Sequence, residues 1–162
     1  ELNNPELGGG IILLVLRFAS EFMSRAVIFT VKGDEVVGLG QFGIEDREEP
    51  GDMLVRAMKV PLAENSIFSE VVESQLPVKL QMDDSRWCRY LREQLGGNSS
   101  EAFLGPIVSE GRVVAILYGD NGYDPRPIGD TDSLEIFLSQ AGIVMEKALL
   151  QSRLKEKHLE GM

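Results

Sequence analysis

The sequence predicts an α/β domain of the α+β type. Its expected core is a central antiparallel sheet, with the first and last helices packed on one face and short helices and loops over the other. Three observations carry that expectation. The closing third runs from a hydrophobic hairpin straight into one long helix. The strand-like segments follow one another through hairpins and short crossovers, which suit antiparallel pairing. A length of 162 residues with 43% hydrophobic content is enough for one sizeable core.

The elements are legible in order. Residues Ile11 to Ser24 form the first helix, because Ile11, Val15, Phe18 and Phe22 make one apolar stripe and Ile12, Leu16, Ala19 and Met23 an adjacent one. The preceding Gly8-Gly9-Gly10 is a poor helix former and reads as a flexible lead-in or a close backbone contact. Ala26 to Val31 and Glu35 to Phe42 are strands of a hairpin turning at Lys32-Gly33-Asp34. The acidic stretch Glu45 to Asp52 reads as a loop, and Met58 to Leu62 as a short edge strand, since Pro61 has no N–H to donate. Ser66 caps a helix through Ile67, Phe68, Val71 and Val72. Pro77 to Met82 alternates as a strand, and Asp83 or Asp84 caps a helix that reaches Leu95 and stops at Gly96-Gly97.

After a loop at Asn98 to Ser100, Phe103 to Val108 and Val113 to Tyr118 form the last hairpin, turning at Ser109-Glu110-Gly111-Arg112. From about Thr131 the last helix places Leu134, Phe137, Leu138, Ala141, Val144, Met145 and Ala148 at helical spacing. Two series recur in it every seven residues: Leu138, Met145, Ser152 and Leu159, and on another side Ile136, Ile143 and Leu150. One series is expected on the sheet and the other on a partner, unless both serve the core.

This order resembles that of GAF domains, which are regulatory sensor modules. Three stretches carry the likeness: Ser66 to Met82, the hairpin from Gly105-Pro106-Ile107 to Asn121, and Asp130 through the last helix. The resemblance implies a PAS/GAF-type sheet and a sensory module of a bacterial-type multidomain signalling protein, covalently linked to other signalling domains. It also implies an unknown small-molecule ligand and a homodimer through the terminal helices. Residues 1–10 are then a lead-in, 11–150 the GAF-like domain, and 151–162 a helical extension towards an output domain. With Glu1 at its start and a polar helical tail, the chain is expected to be a piece of something longer.

Composition narrows the partners. A net charge of −10 would repel a nucleic-acid backbone or an anionic membrane, so neither is expected to bind. The apolar run Ile11 to Leu16 is too short to span a bilayer and lacks a basic region before it. A lone cysteine, Cys88, supports no internal disulfide and fits a reducing compartment, so a cytoplasmic location is expected.

Candidate sites divide by what each chemistry needs. Gly38-Leu39-Gly40-Gln41-Phe42-Gly43 fits a dinucleotide-loop pattern, but the acidic, Pro-containing run after it cannot begin an anion-binding helix. Close packing of a bare strand against a helix is the better reading. Some GAF relatives attach a bilin through a cysteine, and others reduce methionine sulfoxide with several. Cys88 has no resolving thiol, and the only histidine, His158, is a solvated tail residue, so no cofactor, metal or catalytic set is expected. The Asn-Lys-Phe and Asp-Glu motif of cyclic-nucleotide-binding relatives is missing between Tyr123 and Asp132.

Arg86, Arg89 and Arg92 recur every third residue, as a solvated face or as a grip on a phosphate or carboxylate. With Trp87 and Tyr90 to stack on a planar ring, the candidate ligand-binding residues are Phe68, Arg86, Trp87, Arg89 and Tyr90. The candidate dimer interface is Ile12, Leu16, Ile136, Ile143 and Leu150. Two rival readings stand beside the sensor: a ligand-free dimerisation scaffold and, third, a small-molecule enzyme.

Overall fold

The computed structural model describes residues 9–45, 49–122, 124 and 126–160. In chain order the elements are α1 (Gly9–Ala19), β1 (Arg25–Lys32), β2 (Glu35–Phe42), α2 (Gly51–Arg56), β3 (Lys59–Pro61) and α3 (Ile67–Ser74). Then follow β4 (Val78–Gln81), α4 (Arg86–Leu95), β5 (Glu101–Ser109), β6 (Arg112–Asp120) and α5 (Asp132–Glu160). The strands make one six-stranded sheet in the order β3-β2-β1-β6-β5-β4, with every neighbouring pair antiparallel.

Strand alternation sorts the core into two layers. On β1, Ala26 and Ile28 join a cluster with Val15 of α1 and Leu138 of α5, whereas Val27 and Phe29 join one with Val55 of α2, Phe68 of α3 and Leu91 of α4. Both faces of the central strands are therefore covered, which explains their near-continuous apolar runs. The expected placement of terminal helices on one face and short helices on the other is what forms.

Local chemistry sets the boundaries. The Ser66 Oγ accepts from the Ser69 N–H while the Ser69 Oγ accepts from the Ser66 N–H, so α3 opens with a capping box closed by serine. At α4 the cap position is Ser85 rather than Asp83 or Asp84; the Asp83 carboxylate instead accepts from the Ser85 N–H at 2.9 Å. The last hairpin turns on Glu110 and Gly111, both at positive φ (53° and 77°).

Three further expectations need correction. The acidic run is not loop throughout, because Gly51–Arg56 is helical; residues 46–48 lie outside the described residues. Val55 anchors that helix, and its carbonyl oxygen would lie 1.9 Å from a Cβ at Gly38. The bare strand position thus admits α2. Gly40, across a register shift opposite Ile28/Phe29, faces the Ile12 and Leu16 side chains instead. In α1, Gly9 and Gly10 are already helical, and the helix ends at Ala19 rather than Ser24; Gly8 lies outside the described residues.

The third correction concerns the dimer seam. Ile12 and Leu16 are only 8% and 6% exposed, packed on the sheet side with Val15 and Ala19, so they serve the protomer's own core. The stripe that meets the sheet is used up in doing so, and Leu13 and Leu14 are the exposed apolar residues of α1. On α5, Leu138 and Met145 are buried, while Ile136, Ile143 and Leu150 are 60%, 65% and 49% exposed.

Candidate functional site

The face under α3 and α4 holds the expected ligand residues. Phe68 is fully buried edge-on against Phe29, with ring centroids 4.9 Å apart. Trp87 meets Tyr90 edge-on at 5.2 Å, and the Arg86 guanidinium lies 4.9 Å over the Trp87 ring. One oxygen of Glu64, in the connection before α3, accepts from both Arg86 Nη1 (2.9 Å) and Trp87 Nε1 (3.2 Å). The Tyr90 hydroxyl accepts from the Lys59 N–H at 3.4 Å. Phe68, Arg86, Trp87 and Tyr90 thus belong to one neighbourhood, from a filled interior to its rim.

The arginine stripe does not act as a unit. Arg86 is engaged by Glu64, Arg89 is exposed, and Arg92 donates to the Asp83 carbonyl at 2.7 Å and lies 3.8 Å from the Asp84 carboxylate. Three cations with three different surroundings do not converge on one anion. Cys88, itself on α4, is buried.

The most developed polar constellation went unread in the sequence. Arg25 and Asp120 face each other across β1 and β6, at 3% and 0% exposure, with Arg25 Nε 2.6 Å from Asp120 Oδ1. Asp120 accepts five hydrogen bonds: two from Arg25, and one each from Ser99 Oγ, the Tyr118 hydroxyl and the Gly122 N–H. Arg25 in turn donates to the Leu95 carbonyl at 2.8 Å and the Gly96 carbonyl at 2.7 Å. These are C-terminal carbonyls of α4, which have no partner within the helix, and a cation there also suits the helix dipole. Burial first, then the Asp120 charge, pushes the Tyr118 hydroxyl well above its ordinary value, so it stays a neutral donor. What the arrangement does is tie a helix end to the sheet.

Two cavities lined by described residues lie outside this neighbourhood. One of about 350 Å³ is lined by Ser20, Ser24, Asn121, Arg126 and Pro127 near the end of α1. A groove of about 710 Å³ runs between α5 and the β4 edge, lined by Leu76, Pro77, Pro106, Ile136, Ser139 and Ile143. Among the described residues no helix is long and apolar enough to cross a membrane.

No protein-family model and no curated protein matches the sequence. Solved structures do match. A GAF domain/HD domain protein from Geobacter sulfurreducens is similar at a TM-score of 0.70 and 14% identity, over 92% of this chain and 96% of that one. The GAF-B domain of DevS from Mycobacterium smegmatis is similar at 0.67 and 19% identity, over 93% and 99%. The GAF domain of a two-component sensor histidine kinase from Bacillus halodurans is similar at 0.63 and 12% identity, over 91% and 96%. With the same helices flanking the same kind of antiparallel sheet, the chain has the GAF-domain fold.

Proposed function

We propose that this chain is a non-catalytic sensory or regulatory module of a cytoplasmic, bacterial-type multidomain signalling protein, acting as a homodimer whose copies meet along α5. The division of α5 into two seven-residue series carries the reading. Leu138 and Met145 are spent on the sheet, whereas Ile136, Ile143 and Leu150 stand on the solvent side, and the exposed Leu154 continues their line. A long helix with a heptad-spaced apolar stripe in water gains by pairing with its copy. A change in how α1 and α5 pack would then pass along α5 to a linked domain.

Analytical ultracentrifugation tests the dimer. At about 100 μM a pair of even micromolar affinity associates, so a clean monomer overturns the proposal. Ile143→Asp is expected to give a folded monomer, because the carboxylate would be buried unpaired in the seam, at a cost of several kcal/mol by order of magnitude.

The input is the second half of the reading. A small ligand between the sheet and α3–α4 would meet Phe68, Trp87 and Tyr90, with Arg86 and Arg89 at the rim for an anionic group. The close packing of Phe68 on Phe29 favours the rival, a ligand-free dimerisation and spacing scaffold. Native mass spectrometry of freshly purified protein separates them: a bound small molecule supports sensing, and a dimer of bare chains supports the scaffold.

A further inference from the structure

We propose that α4 is a hinged cover over the sheet, pivoting at its C-terminal end and opening at its N-terminal end, with Glu64 as the clasp. The two ends of the helix are held by different chemistry. At the C-terminal end Arg25, itself buried and fixed by Asp120, grips the buried Leu95 carbonyl at 2.8 Å and the half-buried Gly96 carbonyl at 2.7 Å. Charge-assisted bonds from a buried cation are strong and costly to break. Directly after this grip, Gly96 and Gly97 both hold positive φ, 78° and 79°, which lets the chain reverse direction there.

The N-terminal end buries Trp87 and Cys88 as the other end buries Leu91 and Leu95, but among the described residues its polar ties are weaker. Ser85 makes no side-chain cap bond to the helix. The tie to the rest of the fold runs through the Glu64 oxygen shared by Arg86 and Trp87, and that ion pair is 70% and 42% exposed, a setting in which such pairs contribute little. The Tyr90–Lys59 bond is long at 3.4 Å. The bonds of Arg92 and Ser85 to Asp83 stay within the helix and its own lead-in, so they travel with it. Upstream, the Met82 N–H donates to the Ser100 carbonyl at 2.7 Å, so the joint that must flex lies between Met82 and Asp83. Thermal opening therefore begins at Trp87 and stops short of Leu95.

Such a cover would admit a molecule to the compartment proposed above, but its opening is a property of the bare protein. A native mass spectrum without ligand leaves the following test intact, and failure of the test leaves ligand binding open. Trp87 is the only tryptophan, so acrylamide quenching of its fluorescence reads the opening directly. In Glu64→Ala the open population, and with it the quenching constant, is expected to rise about two- to fivefold with an unchanged circular dichroism spectrum, equivalent to about 0.4–1 kcal/mol. Amide exchange should accelerate at Arg89–Leu91 and not at Gly96. Unchanged quenching, or exchange that accelerates equally along the whole helix, would overturn the hinge.

Discussion

Replacing Asp120 by Asn changes almost nothing in shape and removes the charge on which the end of the sheet is built. The carboxylate accepts five hydrogen bonds, three of them at one oxygen, from Arg25, Ser99 and Tyr118. An amide group offers one acceptor oxygen and turns the other position into a donor facing donors. It also leaves the Arg25 guanidinium, 3% exposed, without its counter-charge. Breaking one side of a buried pair costs roughly 3–5 kcal/mol, a large share of the roughly 5–15 kcal/mol that holds a domain folded. At about 2–4 °C per kcal/mol for a domain of this size, the melting temperature should fall by roughly 6–20 °C. Urea unfolding supplies the free energy, and a double-mutant cycle with Arg25→Met and Asp120→Leu isolates the pair. The double variant is expected to lose less than the sum of the single losses, although the Leu95 and Gly96 carbonyls stay orphaned in it. A loss below about 1 kcal/mol for Asp120→Asn, or strict additivity in the cycle, refutes the assignment of this network as the anchor.

Two further outcomes are expected. Gly142→Ala should destabilise the protein although alanine favours a helix over glycine by about 1 kcal/mol, because its Cβ would sit 2.2 Å from the Val108 carbonyl oxygen and force α5 off β5, an overpacking cost of about 1–3 kcal/mol. A gain in the urea midpoint would show that α5 does not dock so closely. Folding raises the Tyr118 pKa above its unfolded value of 10.0, so the stability it contributes is complete below that pH and is lost as pH rises beyond it. Urea midpoints should therefore fall more steeply above pH 10 in the unmodified protein than in Tyr118→Phe, and equal slopes would count against the buried donor.

Much of the face under α3 and α4 was legible residue by residue, but not how its residues meet. Trp87 and Tyr90 stand one turn apart on a short amphipathic helix, and i, i+3 spacing brings them together without help from the fold. Glu64 comes from another connection, and nothing local marks it as the acceptor for both Arg86 and Trp87. The arginine stripe shows the opposite failure. Regular spacing put three cations on one helix, and separate partners then drew Arg86 and Arg92 apart.

The sequence by itself determined the succession of strands and helices, the caps at Ser66 and at Gly96, the two-layer core and the twin heptad series of α5. Each of these follows from contacts within a few residues or from the parity of a strand, which are written in the order of side chains. Tertiary structure alone decided three things. It began α2 at the end of an acidic segment, where Gly38 leaves room for the Val55 backbone. It chose which stripe of α1 faces the sheet, taking Ile12 and Leu16 from the expected seam. And it set Arg25 opposite Asp120, residues 95 positions apart whose meeting depends on the register of two strands from different hairpins. Neither charge reveals its partner locally, since both stand beside apolar strands where a solvated end would look the same. Only the pairing of β1 with β6 excludes the water that would otherwise have answered them.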